Sequence, residues 1–87
     1  MEKNKARKIF SDSGYTNIVE VKMEPGKYLD IHLHDWNVDI IILKGTLHVN
    51  TKTEAKMLKS GDRFQLNSNI KHTEYSGIDG VSFLSAR

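Results

Sequence analysis

The chain has 87 residues, enough for one domain with one core and too few for two. It contains no cysteine, which excludes a disulfide scaffold and a thiolate zinc site. The formal net charge is only +2, and no stretch approaches the roughly 20 apolar residues of a membrane span. We therefore expect one cytoplasmic domain over residues 1–87 that has no membrane partner.

The N-terminal segment, residues 1–12, is rich in basic residues and has one short helical pattern. Ala6, Ile9 and Phe10 share a face, which predicts a helix before Ser11. The basic residues have no interleaved aromatics and no recognition helix, so a solvated terminus is favoured over a nucleic-acid-binding arm. They are not followed by the apolar run of a signal peptide.

From Thr16 onward, β-branched and aromatic residues occur in short runs that turn residues separate, which is typical of β-strands. A turn is indicated at 24–27, where proline and glycine are adjacent. Many short strands at close spacing predict an all-β fold, a small antiparallel barrel or sandwich. The predicted strands are 16–23, 28–34, 38–43, 46–51, the region of Met57, 64–66, 72–75 and 81–85.

Two histidines and one acid are the first candidates for chemistry. His32 and His34 are separated by one residue in a predicted strand, so both side chains project from one face and could reach one ion. Asp39 lies in an otherwise apolar strand, and a buried carboxylate is normally paired or bound to a metal. An exposed position at the start of the strand is the alternative for Asp39. His72, in a later strand, indicates little by itself.

Together these residues resemble the two motifs of the cupin family. Gly26-x5-His32-x-His34-x4-Asp39-x5-Gly45 resembles the first motif, Gly-x5-His-x-His-x(3,4)-Glu-x6-Gly. Gly61-x5-Asn67-x-Asn69-x2-His72-x3-Ser76 resembles the second, Gly-x5-Pro-x-Gly-x2-His-x3-Asn. Fifteen residues separate the two motifs, about the shortest interval that the family uses.

The resemblance implies a small cupin barrel that binds one divalent transition metal, with iron, manganese, nickel, copper and zinc all compatible with the ligands. The implied ligands are His32, His34, Asp39 and His72. Asp39 is one methylene shorter than the glutamate of the family motif, which puts its reach to the metal in question. Asn69 replaces a glycine, a mild change because asparagine tolerates the left-handed conformation. A site of three histidines and one acid leaves about two positions open on an octahedral ion.

The resemblance leaves the activity open. A metal-dependent oxygenase or isomerase acting on a small polar metabolite is one possibility, and a non-catalytic module that binds or senses a small molecule is the other. His48 is expected at the surface, while Glu74 has the same parity as His72 and could lie at the rim or act as a second acid. The predicted pocket residues are Tyr28, Trp36, Met57 and Tyr75.

The strand that carries Asp39 is apolar on both faces. If Asp39 faces the barrel interior, Ile40 and Ile42 face outward on the same side as Ile31 and Leu33. A soluble monomer rarely leaves such an apolar patch exposed. We therefore expect a homodimer that forms through this outer face.

Overall fold

A computed structural model describes residues 1–87 as one helix followed by six strands. All strand pairs are antiparallel, which confirms the predicted all-β class. No helix of the chain is both long enough and apolar enough to cross a membrane. The elements are α1 (Lys3–Asp12), β1 (Ile18–Met23), β2 (Tyr28–His32), β3 (Val38–Thr51), β4 (Ala55–Lys59), β5 (Arg63–Leu66) and β6 (His72–Ala86).

The two long strands, β3 and β6, pair with each other and join all six strands in one continuous sheet, which their bends divide into a first and a second sheet. The first sheet contains β1, β5 and the halves of β3 and β6 that pair with them. The second sheet contains β2, β4 and the other halves of β3 and β6. The sequence predicted two separate strands for each long strand, whereas each is one continuous strand that bends.

Both long strands bend at a glycine. Gly45 in β3 and Gly80 in β6 have φ angles of 81° and 74°, in the left-handed region that favours glycine. A Cβ atom at Gly45 would overlap the carbonyl oxygen of Gly80, so the two backbones are in close contact at the bend. The pairing register between β3 and β6 shifts on either side of Gly45. The two glycines therefore allow both strands to pass from one sheet to the other.

Two apolar clusters lie on opposite faces of the first sheet. The cluster inside the barrel includes Ile40 and Ile42. The cluster on the outer face includes Ile41 and is covered by α1, whose Ala6 and Phe10 are fully buried. The predicted helix at Ala6 and Phe10 is thus confirmed, and the N-terminal segment packs against the barrel instead of extending into solvent.

The faces of β3 are the reverse of the predicted ones. Ile40 and Ile42, expected on the outer face of a homodimer, are 3% and 0% exposed inside the barrel. Ile31 and Leu33 do lie at the surface, 65% and 45% exposed. The predicted dimer face is therefore wrong in β3, because α1 covers the side of that strand that was expected to face inward. The homodimer itself stays a prediction.

Candidate metal centre

Three of the four histidines converge inside the barrel. His32 ends β2 and lies opposite His72, the first residue of β6. His34 follows two residues after His32 and lies on the same side. One ring nitrogen from each histidine lies within 4.8 Å of the other two. Metal–nitrogen bonds are about 2.0 to 2.1 Å long, so one ion could contact all three nitrogens after a small closing movement.

Backbone carbonyl groups fix the orientation of two of these rings. Nδ1 of His32 lies 2.7 Å from the carbonyl oxygen of Asp30, and Nδ1 of His72 lies 2.9 Å from that of Ile70. Because a carbonyl only accepts, each Nδ1 carries a proton and donates it. The Nε2 atom of each ring is left to face the centre of the cluster. Metal-binding histidines typically have such a partner on their second nitrogen.

The segment after β2 is held by the turn that precedes β6. The backbone N–H of Asn69 donates to the carbonyl oxygen of His34 over 2.7 Å. Asn69 has a φ of 65°, at the position where the second cupin motif has glycine. Asparagine tolerates this left-handed conformation better than most residues do, so the replacement keeps the turn that positions His34.

Glu74 is the acid beside the histidines. It lies two residues after His72 in β6, and both side chains line the same cavity. Its Oε2 atom is 3.0 Å from Nε2 of His32 and 3.7 Å from Nε2 of His72. A carboxylate oxygen and an imidazole lone pair repel each other unless a proton or a metal cation lies between them. The donors that meet at this point therefore fit a divalent cation.

The surroundings of His34 favour its neutral form, which is the form that binds metals. Burial, and then the charges of His32 and His72, lower the pKa of His34 below its ordinary value. The His32 and His72 rings are themselves close, with centroids 4.2 Å apart. Since a metal binds only deprotonated imidazole nitrogens, the lowered pKa of His34 reduces competition from protons.

Asp39 lies elsewhere, and the prediction that it joins the histidines is corrected. Its carboxylate accepts hydrogen bonds from Nε and Nη2 of Arg63 at 2.9 and 2.7 Å, from Gln65 at 3.0 Å and from the Tyr15 hydroxyl at 2.8 Å. Burial raises the pKa of Asp39, but these hydrogen bonds outweigh it and lower the pKa below its ordinary value. Asp39 is 1% exposed, so the exposed alternative is also wrong, and the cluster of possible metal ligands contains the three histidines without Asp39. Its partner is an arginine.

A cavity of about 680 Å³ lies beside the three histidines, within the usual size of a small-molecule site. Trp36 and Tyr28 line it, as the sequence predicted. The Trp36 ring lies against His34, with centroids 4.5 Å apart. The wall supplied by the first sheet is apolar, and its side chains include Val19, Val21, Val38, Ile40 and Phe83.

Two predicted pocket residues lie outside this cavity. Tyr75 alternates with Glu74 along β6, so it faces the outside of the barrel, where its ring stacks on His48 at a centroid distance of 4.1 Å. Met57 pairs with His48 across β3 and β4 and is 60% exposed. The prediction that Met57 and Tyr75 line the pocket is therefore wrong, whereas His48 lies on the outer face as expected.

Arg87 is a cavity residue that the sequence did not indicate. Its guanidinium carbon lies 3.9 Å from the centre of the Trp36 ring, and it lines the cavity together with Lys27. No motif includes Arg87. Only the pairing of β6 with β1 and β3, which closes the barrel, brings the end of β6 to this cavity.

No family model matches the chain, and no curated protein matches its sequence. Its structure is similar to a cupin-2 domain protein of Shewanella frigidimarina (18% identity, TM-score 0.69, covering 80% of this chain and 67% of the other). It is also similar to KdgF of a Halomonas species (24% identity, TM-score 0.64, covering 79% and 66%). A third similar structure is a variant oxalate decarboxylase of Bacillus subtilis (20% identity, TM-score 0.73, covering 79% and 20%). The chain thus has the cupin fold, as the motifs predicted, and it spans between 20% and 67% of these three chains.

Proposed function

We propose that the protein binds one divalent transition metal through His32, His34 and His72, and that this metal binds a small organic ligand in the adjacent cavity. The observation that carries the proposal is the convergence of three ring nitrogens within 4.8 Å of one another on the cavity wall. Two of these rings are already oriented by carbonyl groups, so little ordering would accompany metal binding.

The acid of the proposed site is Glu74. Its Oε2 atom is within hydrogen-bonding distance of His32 and close to His72, whereas Asp39 is paired with Arg63. Three imidazoles and one carboxylate suit iron, manganese, nickel, copper or zinc. When bound, such a metal would polarise an oxygen atom of the ligand or lower the pKa of a bound water.

The favoured class is an enzyme, a metal-dependent oxygenase or isomerase. Glu74 is the observation that favours it, because this half-buried carboxylate lies at the cavity beside the histidines, and carboxylates are common general acids and bases in enzymes. A non-catalytic binding module is the alternative, and it would need no group for proton transfer. The matched oxalate decarboxylase is an enzyme, which supports catalysis on this fold but not a particular reaction.

Elemental analysis of the purified, untagged protein by inductively coupled plasma mass spectrometry tests the proposal. We expect about one equivalent of a single transition metal per chain. The double variant His32→Ala/His72→Ala should lose this metal, and His48→Ala, which changes the histidine outside the barrel, should keep it. Less than about a tenth of an equivalent after incubation with each of the five ions would overturn the proposal.

A further inference from the structure

A cation lies at the cavity without an acidic partner. The Arg87 guanidinium packs on the Trp36 ring, and Trp36 in turn packs on His34, so the arginine is two side chains away from the proposed metal site. Its backbone N–H donates to the carbonyl oxygen of Asn17 over 2.9 Å, which ties the end of β6 to the segment before β1. None of the ion pairs of the protein includes Arg87. Its charge is free to meet a ligand.

Among the charged groups that line the cavity, Arg87 is the best partner for a negatively charged ligand group. Glu74 is in contact with two histidines. Asp30 accepts a hydrogen bond from the backbone N–H of Ile31 at 2.7 Å. Lys27 also lines the cavity and adds a second positive charge, although no ring holds its ammonium group in place. A guanidinium group packed on an aromatic ring is a better oriented partner for a carboxylate than a flexible ammonium group.

The wall opposite the histidines is apolar and partly open. Val19 faces the cavity from β1 and is still 51% exposed, and Val21 and Val38 line the same wall. Val21 and Val38 are half-buried, so all three side chains keep some contact with solvent. Apolar surface that faces a cavity of this size is stabilised when an apolar ligand removes it from water.

We propose that the cavity binds an organic carboxylate with an apolar body. The carboxylate would lie at the Arg87 guanidinium, and the apolar body would lie against the wall that Val19 and Val38 form. This inference rests on the proposed function, because it names the class of the small organic ligand that the cavity beside the metal would hold. It replaces the small polar metabolite that the sequence led us to expect.

Isothermal titration calorimetry with three probes tests this ligand class on zinc-loaded protein that has been freed of excess zinc. Octanoate and octanamide share an apolar body and differ in charge, while acetate has the charge and almost no apolar body. We expect octanoate to bind about tenfold more tightly than either of the other two. Equal affinities for octanoate and octanamide would overturn the role of the charge.

Two variants test whether Arg87 binds the carboxylate and whether the apolar wall binds the apolar body. Arg87→Gln should remove the preference for octanoate over octanamide, and Arg7→Gln, on the exposed surface of α1, should preserve it. Val19→Asp should weaken both ligands about tenfold, and Ile78→Asp, at a residue that is 90% exposed and outside the cavity, should weaken neither. A preference for octanoate that survives Arg87→Gln would overturn Arg87 as the anchor.

The zinc content distinguishes the two proposals. If the protein holds one equivalent of zinc and does not bind octanoate, the ligand class is overturned and the metal site stands. If the protein holds no zinc but binds octanoate in a manner that depends on Arg87, the metal site is overturned, while the carboxylate ligand is supported.

Discussion

Glu74 and His32 face each other across the β2–β6 pair, with Oε2 of the glutamate 3.0 Å from Nε2 of the histidine. The same oxygen lies 3.7 Å from Nε2 of His72. The first cupin motif has its acid four or five residues after the second histidine, whereas this acid lies in the last strand, two residues after the third histidine. The barrel therefore brings an acid to the histidines from a different strand than the motif does.

The variant Glu74→Gln should lower the affinity for zinc by about 10- to 100-fold. The amide keeps the size of the side chain and removes the negative charge that faces two imidazole nitrogens. Competition with a chelator of known affinity measures the change. Glu54→Gln, in the exposed turn before β4, is the matched control and should leave the affinity unchanged. A Glu74→Gln protein with wild-type affinity would show that this carboxylate does not contribute to the metal site.

The histidine cluster could be predicted from the sequence, partly from local geometry and partly from the resemblance to the cupin motifs. Alternation along β2 puts His32 and His34 on one side, and the motif spacing brings His72 opposite them. Alternation also puts Glu74 on the same side of its strand as His72, which allowed Glu74 as a second acid at the site. The role of Asp39 could not be predicted, because β3 is apolar on both faces and alternation alone does not show which one faces inward. Its partner, Arg63, is distant in sequence and carries no motif.

The N-terminal helix determines which face of β3 points into the barrel. Because α1 packs Phe10 against the outer face of the first sheet, the side of β3 that carries Ile41 is buried there. The opposite side, with Ile40, fills the barrel. The sequence pattern of residues 1–12 indicated a helix but not where it would pack, so the predicted dimer face and the predicted role of Asp39 failed for the same reason.

Removing the arginine that pairs with Asp39 should destabilise the fold. Arg63→Met leaves a buried carboxylate with only Gln65 and Tyr15 as donors. We expect a loss of about 3 kcal/mol in the free energy of unfolding, at the lower end of the range for a broken buried ion pair. The lower end applies because the Arg63 side chain is itself 35% exposed.

Urea unfolding measures this loss, and Lys22→Met is the matched control. Lys22 pairs with Glu20 at the surface over 3.8 Å, so its replacement should cost less than about 1 kcal/mol. Equal losses in the two variants would contradict a stabilising role for the Arg63–Asp39 pair.

The stability of the protein should decrease in acid partly through Asp39. The pKa of Asp39 is lowered in the folded state, so between that pKa and the unfolded value of about 3.9 the unfolded chain binds more protons. The stabilisation is therefore present above about pH 4 and is lost as the pH falls through the folded pKa. Urea unfolding between about pH 7 and pH 2 should show a smaller decrease for Asp39→Asn than for the wild type. Asp12→Asn, on the exposed surface of α1, should keep the wild-type profile, and an unchanged profile in Asp39→Asn would contradict the prediction.

If the protein forms a homodimer, the outer face of the second sheet is where we expect it. α1 covers the outer face of the first sheet, whereas Tyr75, His48 and Met57 form an uncovered row across β6, β3 and β4. Sedimentation equilibrium at micromolar concentration should then give twice the mass of the chain. Met57→Glu should shift the protein to the monomer, because it would bury a charge in the interface, and Lys5→Glu on α1 should not. A monomer mass for the wild type would contradict the homodimer.

Gly45, which is in contact with Gly80, should be among the positions of the barrel that least tolerate substitution. Gly26→Ala is the matched control, because Gly26 also has a positive φ, 68°, but has no atom near the position of an added Cβ. The strained φ alone should cost Gly26→Ala about 1 to 2 kcal/mol. Gly45→Ala should cost about 3 kcal/mol or more, because its Cβ would meet the backbone carbonyl of Gly80, which cannot rotate away as a side chain can. Urea unfolding measures both losses. Equal losses would mean that the two strands can move apart at the bend. A larger loss at Gly45 would show that the close contact of Gly45 and Gly80 is needed for the stability of the barrel.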